Sequence, residues 1–201
     1  MIPASIEIKN AVSNGPLHWP TVFRGSENPV EVEVGCGKGR FLIGRAQDNP
    51  DRNFLGLEYA KAYSRAIADR SIRKGLTNIR VVRAEGADFF RRFVPDHSLS
   101  GFHLLYPDPW PKNRHHRRRL LQTEFIVELR RPLKREAIIN IATDHRDYYE
   151  WMCRHFDQWP ATFVLEKRIV SEGEELRKLE GRTNYERKFI EEGRPLHFIT
   201  G

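Results

Sequence analysis

The stretch PVEVEVGCGKGRF, Pro29 to Phe41, decides the fold. PVEVEV reads as a strand, and the chain then passes through a glycine-rich loop into a helix that continues to about Asn49. Glycines at 35, 37 and 39 tolerate positive φ and let a ligand come close to the backbone. A strand, glycine loop and helix in that order is the opening unit of a nucleotide-binding α/β domain, so the segments on either side are read for the same alternation.

They carry it. NFLGLE (Asn53–Glu58) is a second strand, followed by an amphipathic helix over AKAYSRAIADRSIRKG that Gly75 stops. NIRVVRA (Asn78–Ala84) is a third strand, with a short helix over Ala87–Phe93. GFHLLY (Gly101–Tyr106) is a fourth, TEFIVELRRPL is helical, and AIINIATD (Ala137–Asp144) is a fifth. RDYYEWMCRHF is a helix, and FVLEKRIV and LHFIT close the chain as two more strands. Strands alternating with helices at this spacing predict a mostly parallel, doubly wound sheet, with ligands at the carboxyl ends of its strands. Polar residues gather at those ends: Glu33 to Gly39, Glu58, Glu85, Asp108 and Asp144.

Composition sets the outer limits. The 201 residues suffice for one α/β domain, and with no repeat or Gly/Ser linker the expectation is a single domain over 1–201. Hydrophobic residues make up 39% and charged residues 30%, and no apolar run is long enough to span a bilayer. The opening MIPASIEIKN lacks the apolar core of a secretion signal, and Cys36 and Cys153 form neither a metal-ligand spacing nor a disulfide framework. A reducing cytoplasm and a monomer, with no membrane and no metal, are therefore expected. A net charge of +7 favours a polyanionic partner, although a merely basic enzyme would show the same balance.

The glycine loop narrows the ligand. A dinucleotide fingerprint needs G-x-G-x-x-G, but here Arg40 holds the third position and the glycine comes one residue early. A phosphate loop would end in G-K-[ST], and this chain has G-K-G-R. Glu33 would repel a pyrophosphate and attract a cation. S-adenosylmethionine carries a sulfonium and an ammonium, together with a ribose for Glu58, nineteen residues past Gly39. Glu85 would then accept from the adenine amino group. Any one of these glutamates alone reads as a solvated loop charge; three at successive strand ends beside the loop favour a methyl donor.

The second distinctive segment is LLYPDPWPKNRHHRRRL, Leu104 to Leu120. A lone carboxylate, Asp108, sits among Pro107, Pro109 and Trp110, and seven basic or imidazole side chains follow between Lys112 and Arg119. Basic runs are usually solvated faces, but here the run follows an acid at a strand end, so a polyanion bound to it would lie over that acid. His115 and His116 lack the third ligand a metal would need. T-D before RDYYEW suits a helix N-cap, a role Asp144 could combine with another. GRTNYERKF (Gly181–Phe189) reads from periodicity as a surface loop or short helix.

Taken together, VEVGCGKG, FLGLE, YPDPWPKNRHHRRR, TDHRDY and TNYE resemble the bacterial tRNA (guanine-N7)-methyltransferase family from about Pro29 to Gly201. The resemblance implies a Rossmann-like class I methyltransferase, a seven-stranded, mostly parallel, doubly wound α/β sheet with an antiparallel last strand. It also implies S-adenosylmethionine as methyl donor and a variable-loop guanine of tRNA as acceptor. On the matching positions, Glu33, Glu58, Glu85 and Asp108 would contact the cofactor beside Gly35, Gly37 and Gly39, and Asp108 would be catalytic. Lys112, Asp144, Thr183, Asn184, Tyr185 and Glu186 would bind substrate, and His115 and Arg118 would meet RNA phosphate or ribose. One departure is Glu85, where the family has an aspartate, followed here by Gly86.

Guanine N7 carries a lone pair and no proton, so such a transfer needs alignment and electrostatics rather than a general base. Asp108 is expected to hold the purine and offset its growing positive charge, with Trp110 packing or stacking nearby. Amino methyltransferases place [DN]-P-P-[YFW] at the same strand end, but only one proline follows Asp108 before the tryptophan. A non-catalytic RNA-binding protein on the same fold would show a broken loop or a missing acid, and a nicotinamide enzyme a different glycine spacing.

Overall fold

The computed structural model describes residues 15–171, 175, 176, 179 and 181–201, so the opening decapeptide lies outside the described residues. Seven strands form one sheet: β1 (Val30–Val34), β2 (Asn53–Leu57), β3 (Ile79–Val82), β4 (Leu99–Leu105), β5 (Leu133–Thr143), β6 (Glu166–Val170) and β7 (Leu196–Thr200). Their order across the sheet is β3-β2-β1-β4-β5-β7-β6. β1 to β5 pair in parallel, and β7 runs against both β5 and β6. Chain order reverses between β1 and β4, which opens a crevice at the carboxyl ends of those two strands.

Helices cover both faces, as continuous apolar strands require. β1, β2 and β3 are buried at every position. One face packs under α1 (Trp19–Val22), α4 (Gly86–Phe93), α5 (Thr123–Arg130) and α6 (Arg146–Phe156), where Phe90, Phe102 and Phe125 meet with ring centroids 5.4–6.1 Å apart. The other face packs under α2 (Arg40–Asp48), α3 (Lys61–Arg73) and α7 (Asn184–Glu191), through Leu42, Ile43 and Ile67 on one side and Phe41, Phe189 and Phe198 on the other.

Several boundaries differ from the sequence reading. The α5 helix stops at Arg130, with Arg131 still in helical backbone as its cap, because Pro132 has no amide to continue the hydrogen-bond ladder. β5 then begins at Leu133, four residues before Ala137. Its pairing with β4 jumps from Leu99↔Leu133 to Gly101↔Ile138, so Lys134, Arg135 and Glu136 bulge outward and are exposed. That polar bulge hid the start of the strand. α1 went unread, and GRTNYERKF proves largely helical, with Thr183 accepting from the Glu186 amide as its N-cap.

Gly39 shows why the loop needs glycine. It caps α2 in the left-handed region at φ +67, and a Cβ there would sit 2.5 Å from the Ile67 side chain. Gly37, at φ +52, has open space around its α-carbon. Gly39→Ala is therefore expected to cost about 1–3 kcal/mol in urea unfolding, clearly more than Gly37→Ala. Equal costs would show that the approach to Ile67 does not matter.

Candidate active site

The glycine loop is held from below by carboxylates. Gly35 donates its amide to the Leu57 carbonyl at 2.8 Å, tying the loop to the end of β2. Glu58, one residue beyond β2, accepts from the amide of Gly37 at 2.7 Å through Oε2 and from the amide of Ala60 at 2.8 Å through Oε1. One acid thus spans the loop and the entry to α3.

Glu33 points into the same place from β1 and is only 3% exposed. Its Oε2 has no hydrogen-bond partner among the described residues. Burial, and then the nearby charge of Glu58, push its carboxyl up to about 8, a shift the Leu42 backbone amide offsets in part. A buried carboxyl with one idle oxygen beside a second acid calls for a cation, and the ammonium and sulfonium of S-adenosylmethionine fit that demand. Above the ordinary carboxylate range and below about 8, the folded chain binds a proton at Glu33 that the unfolded chain has released. Glu33 therefore makes stability fall as pH rises through that window, and Glu33→Gln is expected to flatten that part of the melting-temperature profile. Binding a cation next to Glu33 should expel this proton, which calorimetry in buffers of different ionisation enthalpy would detect. The same proton release from Glu33→Gln would sink the assignment.

Glu85 reaches the crevice from beyond β3 but has a local duty. Its carboxylate caps α4, accepting from the amides of Ala87 at 3.1 Å and Asp88 at 2.8 Å. A Cβ on the next residue, Gly86, would lie 2.7 Å from Val34, so glycine there lets α4 seat against β1. Glu85 stays exposed and has lone pairs left for a ligand donor.

Asp108 lies past the carboxyl end of β4, exposed and without a hydrogen bond to any described residue. The backbone around it is unusual: Tyr106 and Trp110 adopt φ +54 and +45, values rare for non-glycine residues. Arg119 supplies an anchor, since its Nε donates to the Pro109 carbonyl at 2.9 Å. This residue corrects the sequence reading, which counted it in the basic run expected to hold a polyanion. Arg119 is 1% exposed, lies over the rings of Tyr148 and Trp151 at 4.9 and 5.0 Å, and pairs with Asp147. Arg119→Met is expected to destabilise the fold by about 2–4 kcal/mol and to loosen the Asp108 turn. Chemical denaturation would measure the first effect, and methyl transfer by the protein that remains folded the second.

Lys112, Arg114, Arg117 and Arg118 do face outward, whereas His116 turns its ring onto Trp151, with centroids 5.3 Å apart. Asn113–Arg118 forms a 3₁₀ helix with no buried residue, and Lys112 precedes it, exposed. The Arg118 guanidinium covers the Trp110 ring at 4.7 Å, and the His115 ring meets it edge-on at 6.0 Å. The structure therefore gathers Asp108, Trp110, His115 and Arg118 on one corner. Among the described residues no group of three or more histidine, cysteine or acidic side chains is placed to hold a metal.

Asp144 does not cap α6. His145 takes that position, its Nδ1 accepting from the Tyr148 amide at 3.3 Å, while Asp144 pairs with Arg194 at 2.9 Å. The Thr183–Glu186 segment diverges. Tyr185 is 56% exposed, whereas Glu186 is fully buried: neither carboxylate oxygen accepts a hydrogen bond, Arg182 stands 3.7 Å from Oε1, and burial raises the carboxyl against that cation. Tyr106, whose hydroxyl is also buried without a partner, is pushed up by burial and by the charges of Glu186 and Asp144. Tyr106 and Arg194 were missed from sequence, as was the buried anchoring role of Arg119. Only Tyr106 had a local signal, as the residue entering P-D-P-W.

The protein family described as "Putative methyltransferase" matches residues 27–199. Among curated proteins, a tRNA (guanine-N(7)-)-methyltransferase of Actinobacillus pleuropneumoniae is 38% identical over 148 residues, covering 72% of this chain and 59% of that protein. One from Lactobacillus helveticus is 30% identical over 198 residues, covering 98% of this chain and 90% of that protein. The chain spans 54–59% of the length of the Actinobacillus and Pasteurella relatives it matches. Among solved structures, the 16S rRNA methyltransferase KamB superposes with a TM-score of 0.67 at 19% identity over 90% of both chains. An antibiotic-related methyltransferase gives the same score at 16% identity over 95% of this chain and 97% of that one. At those identities the structural likeness bears on the fold alone.

Proposed function

We propose, because this chain belongs to the tRNA (guanine-N(7)-)-methyltransferase family, that it transfers the methyl group of S-adenosylmethionine to N7 of a variable-loop guanine in tRNA. The observation that carries this reading is the corner at the end of β4. An unpartnered carboxylate, Asp108, stands there on an anchored turn, and the exposed cations of Lys112–Arg118 follow it directly. A polyanion held by that run would bring a base to Asp108.

S-adenosylmethionine, when bound, supplies an electrophilic methyl group on a sulfonium. Glu33 and Glu58 would hold its cationic and ribose ends beside the Gly35–Gly39 loop, with Glu85 at the adenine. Asp108 would accept hydrogen bonds from guanine N1–H and the exocyclic amine. Those bonds strengthen as positive charge builds on the purine, and such differential binding raises turnover. N7 has no proton to lose, so no residue need act as a base. Lys112, His115 and Arg118 would take RNA phosphates or ribose, while Asp144, Thr183, Asn184, Tyr185 and Glu186 would border the guanine. Exposing a base engaged in tertiary contacts would cost roughly a few kcal/mol. The same reading has the protein acting as a cytoplasmic monomer without a metal.

Incubation with labelled S-adenosylmethionine and an unmodified tRNA transcript tests it. Label is expected in that transcript and not in one whose variable-loop guanine is replaced. Equal labelling of both would overturn the choice of acceptor.

A further inference from the structure

Behind α2, on the sheet face that carries α2, α3 and α7, lies a cavity of about 830 Å³ that none of Gly35, Gly37 or Gly39 lines. Its volume is in the range of small-ligand sites. Arg40 and Arg45 of α2, Arg70 of α3, Lys74 and Arg182 line its walls, and Asp48 is the one acid lining it among the described residues. It shares only Asn184 with the residues expected to bind substrate.

These cations keep donors to spare. Arg40 uses Nε on the Gly181 carbonyl at 3.2 Å, and Arg70 uses Nε on the Ala66 carbonyl at 3.4 Å, so neither spends its terminal nitrogens there. Arg70 Nη2 and Arg45 Nε are buried with no partner among the described residues. Arg45 grips both oxygens of Glu31 through one nitrogen, at 2.9 and 2.8 Å.

The remaining polar atoms are of the opposite kind. His103 and Asn140, 3% and 7% exposed, also line the cavity, and His103 Nδ1 and Asn140 Oδ1 have no hydrogen-bond partner among the described residues. Burial pushes the Glu31 carboxyl up, but His103, whose Nε2 lies 2.8 Å away, and Arg45 outweigh it and hold it down at about 2. Burial lowers the imidazole's affinity for a proton, with its Glu31 contact opposing. A neutral ring that donates from Nε2 to a carboxylate leaves Nδ1 as an acceptor. The cavity therefore presents cationic donors on its walls and two neutral acceptors.

We propose that this cavity is a second ligand site that takes a ribose phosphate, the phosphate meeting Arg40, Arg70 and Lys74 and a ribose hydroxyl donating to His103 Nδ1 or Asn140 Oδ1. A bare anion would leave the acceptors idle, and a neutral sugar would leave the cations idle. A ribose phosphate satisfies both. It can come from the backbone of bound RNA or from a free ribonucleotide.

Calorimetric titration with uridine 5′-monophosphate, which lacks the adenine that the glycine-loop site would accept, tests the chemistry. The protein is expected to bind it with a Kd of about 1 mM or tighter, and Arg70→Gln/Lys74→Gln to bind at least about tenfold more weakly. A charge-matched control on the opposite face, Arg130→Gln/Arg154→Gln, should bind like the unaltered protein. No binding at about 10 mM, or equal binding by the Arg70/Lys74 variant, overturns the site. Equal binding of the 2′,3′-dideoxy nucleotide overturns the ribose contact. The source is then read from tRNA affinity against salt. If RNA backbone fills the cavity, the slope for the Arg70/Lys74 variant becomes shallower by about one to two units. An unchanged slope with nucleotide binding lost assigns a free ribonucleotide. Neither titration requires methyl transfer, so the second site and the proposed activity stand or fall separately.

Discussion

Asp108→Asn is expected to lower methyl transfer about a hundredfold or more while leaving S-adenosylmethionine affinity nearly unchanged. The side chain is exposed, accepts nothing from the described residues and lies on a turn held by Arg119, so the substitution removes charge with little loss of structure. In the proposed reaction a carboxylate faces a purine that becomes cationic as the methyl group arrives. An amide of the same shape keeps one acceptor but no charge, and its amino group would face guanine donors. The loss belongs in turnover, because the missing stabilisation exists mainly in the transition state. Single-turnover rates and cofactor titrations on the same preparation would separate the two effects. An asparagine variant of undiminished rate would remove Asp108 from the chemistry.

Glu58→Ala should fail differently. Its two carboxylate oxygens take the amides of Gly37 and Ala60, so the side chain shapes the loop before any ligand arrives. Hydrogen bonds to a charged group are each worth about 1.5–3 kcal/mol, and the proposed ribose contacts draw on the same carboxylate. S-adenosylmethionine affinity is expected to fall at least about a hundredfold, with a modest loss of melting temperature from the untethered loop. Turnover at saturating cofactor should recover much of its normal value. Unchanged affinity in calorimetry would mean that Glu58 only supports the backbone.

What the sequence made legible follows from the range of the interactions involved. PVEVEVGCGKGRF could be read because a strand, a tight glycine loop and a helix are written in adjacent residues. The strand-end positions of Glu58, Glu85 and Asp108 could be read because each follows closely on an apolar run, and that of Glu33 because it alternates with valines in one. The antiparallel β7 came only from the family resemblance, since nothing local in LHFIT marks its direction. The early start of β5 was hidden because Lys134, Arg135 and Glu136 bulge into solvent and read as loop.

The site was less legible where it depends on partners distant in sequence. Arg119 looks like its neighbours in R-R-R, and only the fold brings Tyr148, Trp151 and Asp147 around it. Asp144 looked like a cap because T-D precedes a helix, yet Arg194, fifty residues on, claims it. Tyr106 and Glu186 both bury polar atoms that make no hydrogen bond among the described residues, although they are eighty residues apart. The cavity beside His103 and Asn140 left no sequence signal, because its cations are scattered along the chain from Arg40 to Arg182.

The central claim is methylation of guanine N7, and the most direct measurement is the identity of the modified nucleoside. After reaction with labelled S-adenosylmethionine, tRNA would be digested to nucleosides and the labelled species separated and weighed by mass spectrometry. The account predicts 7-methylguanosine as the labelled product, arising from the variable loop and absent with Asp108→Asn. Label on an exocyclic amine, on a ribose or on another base would contradict it.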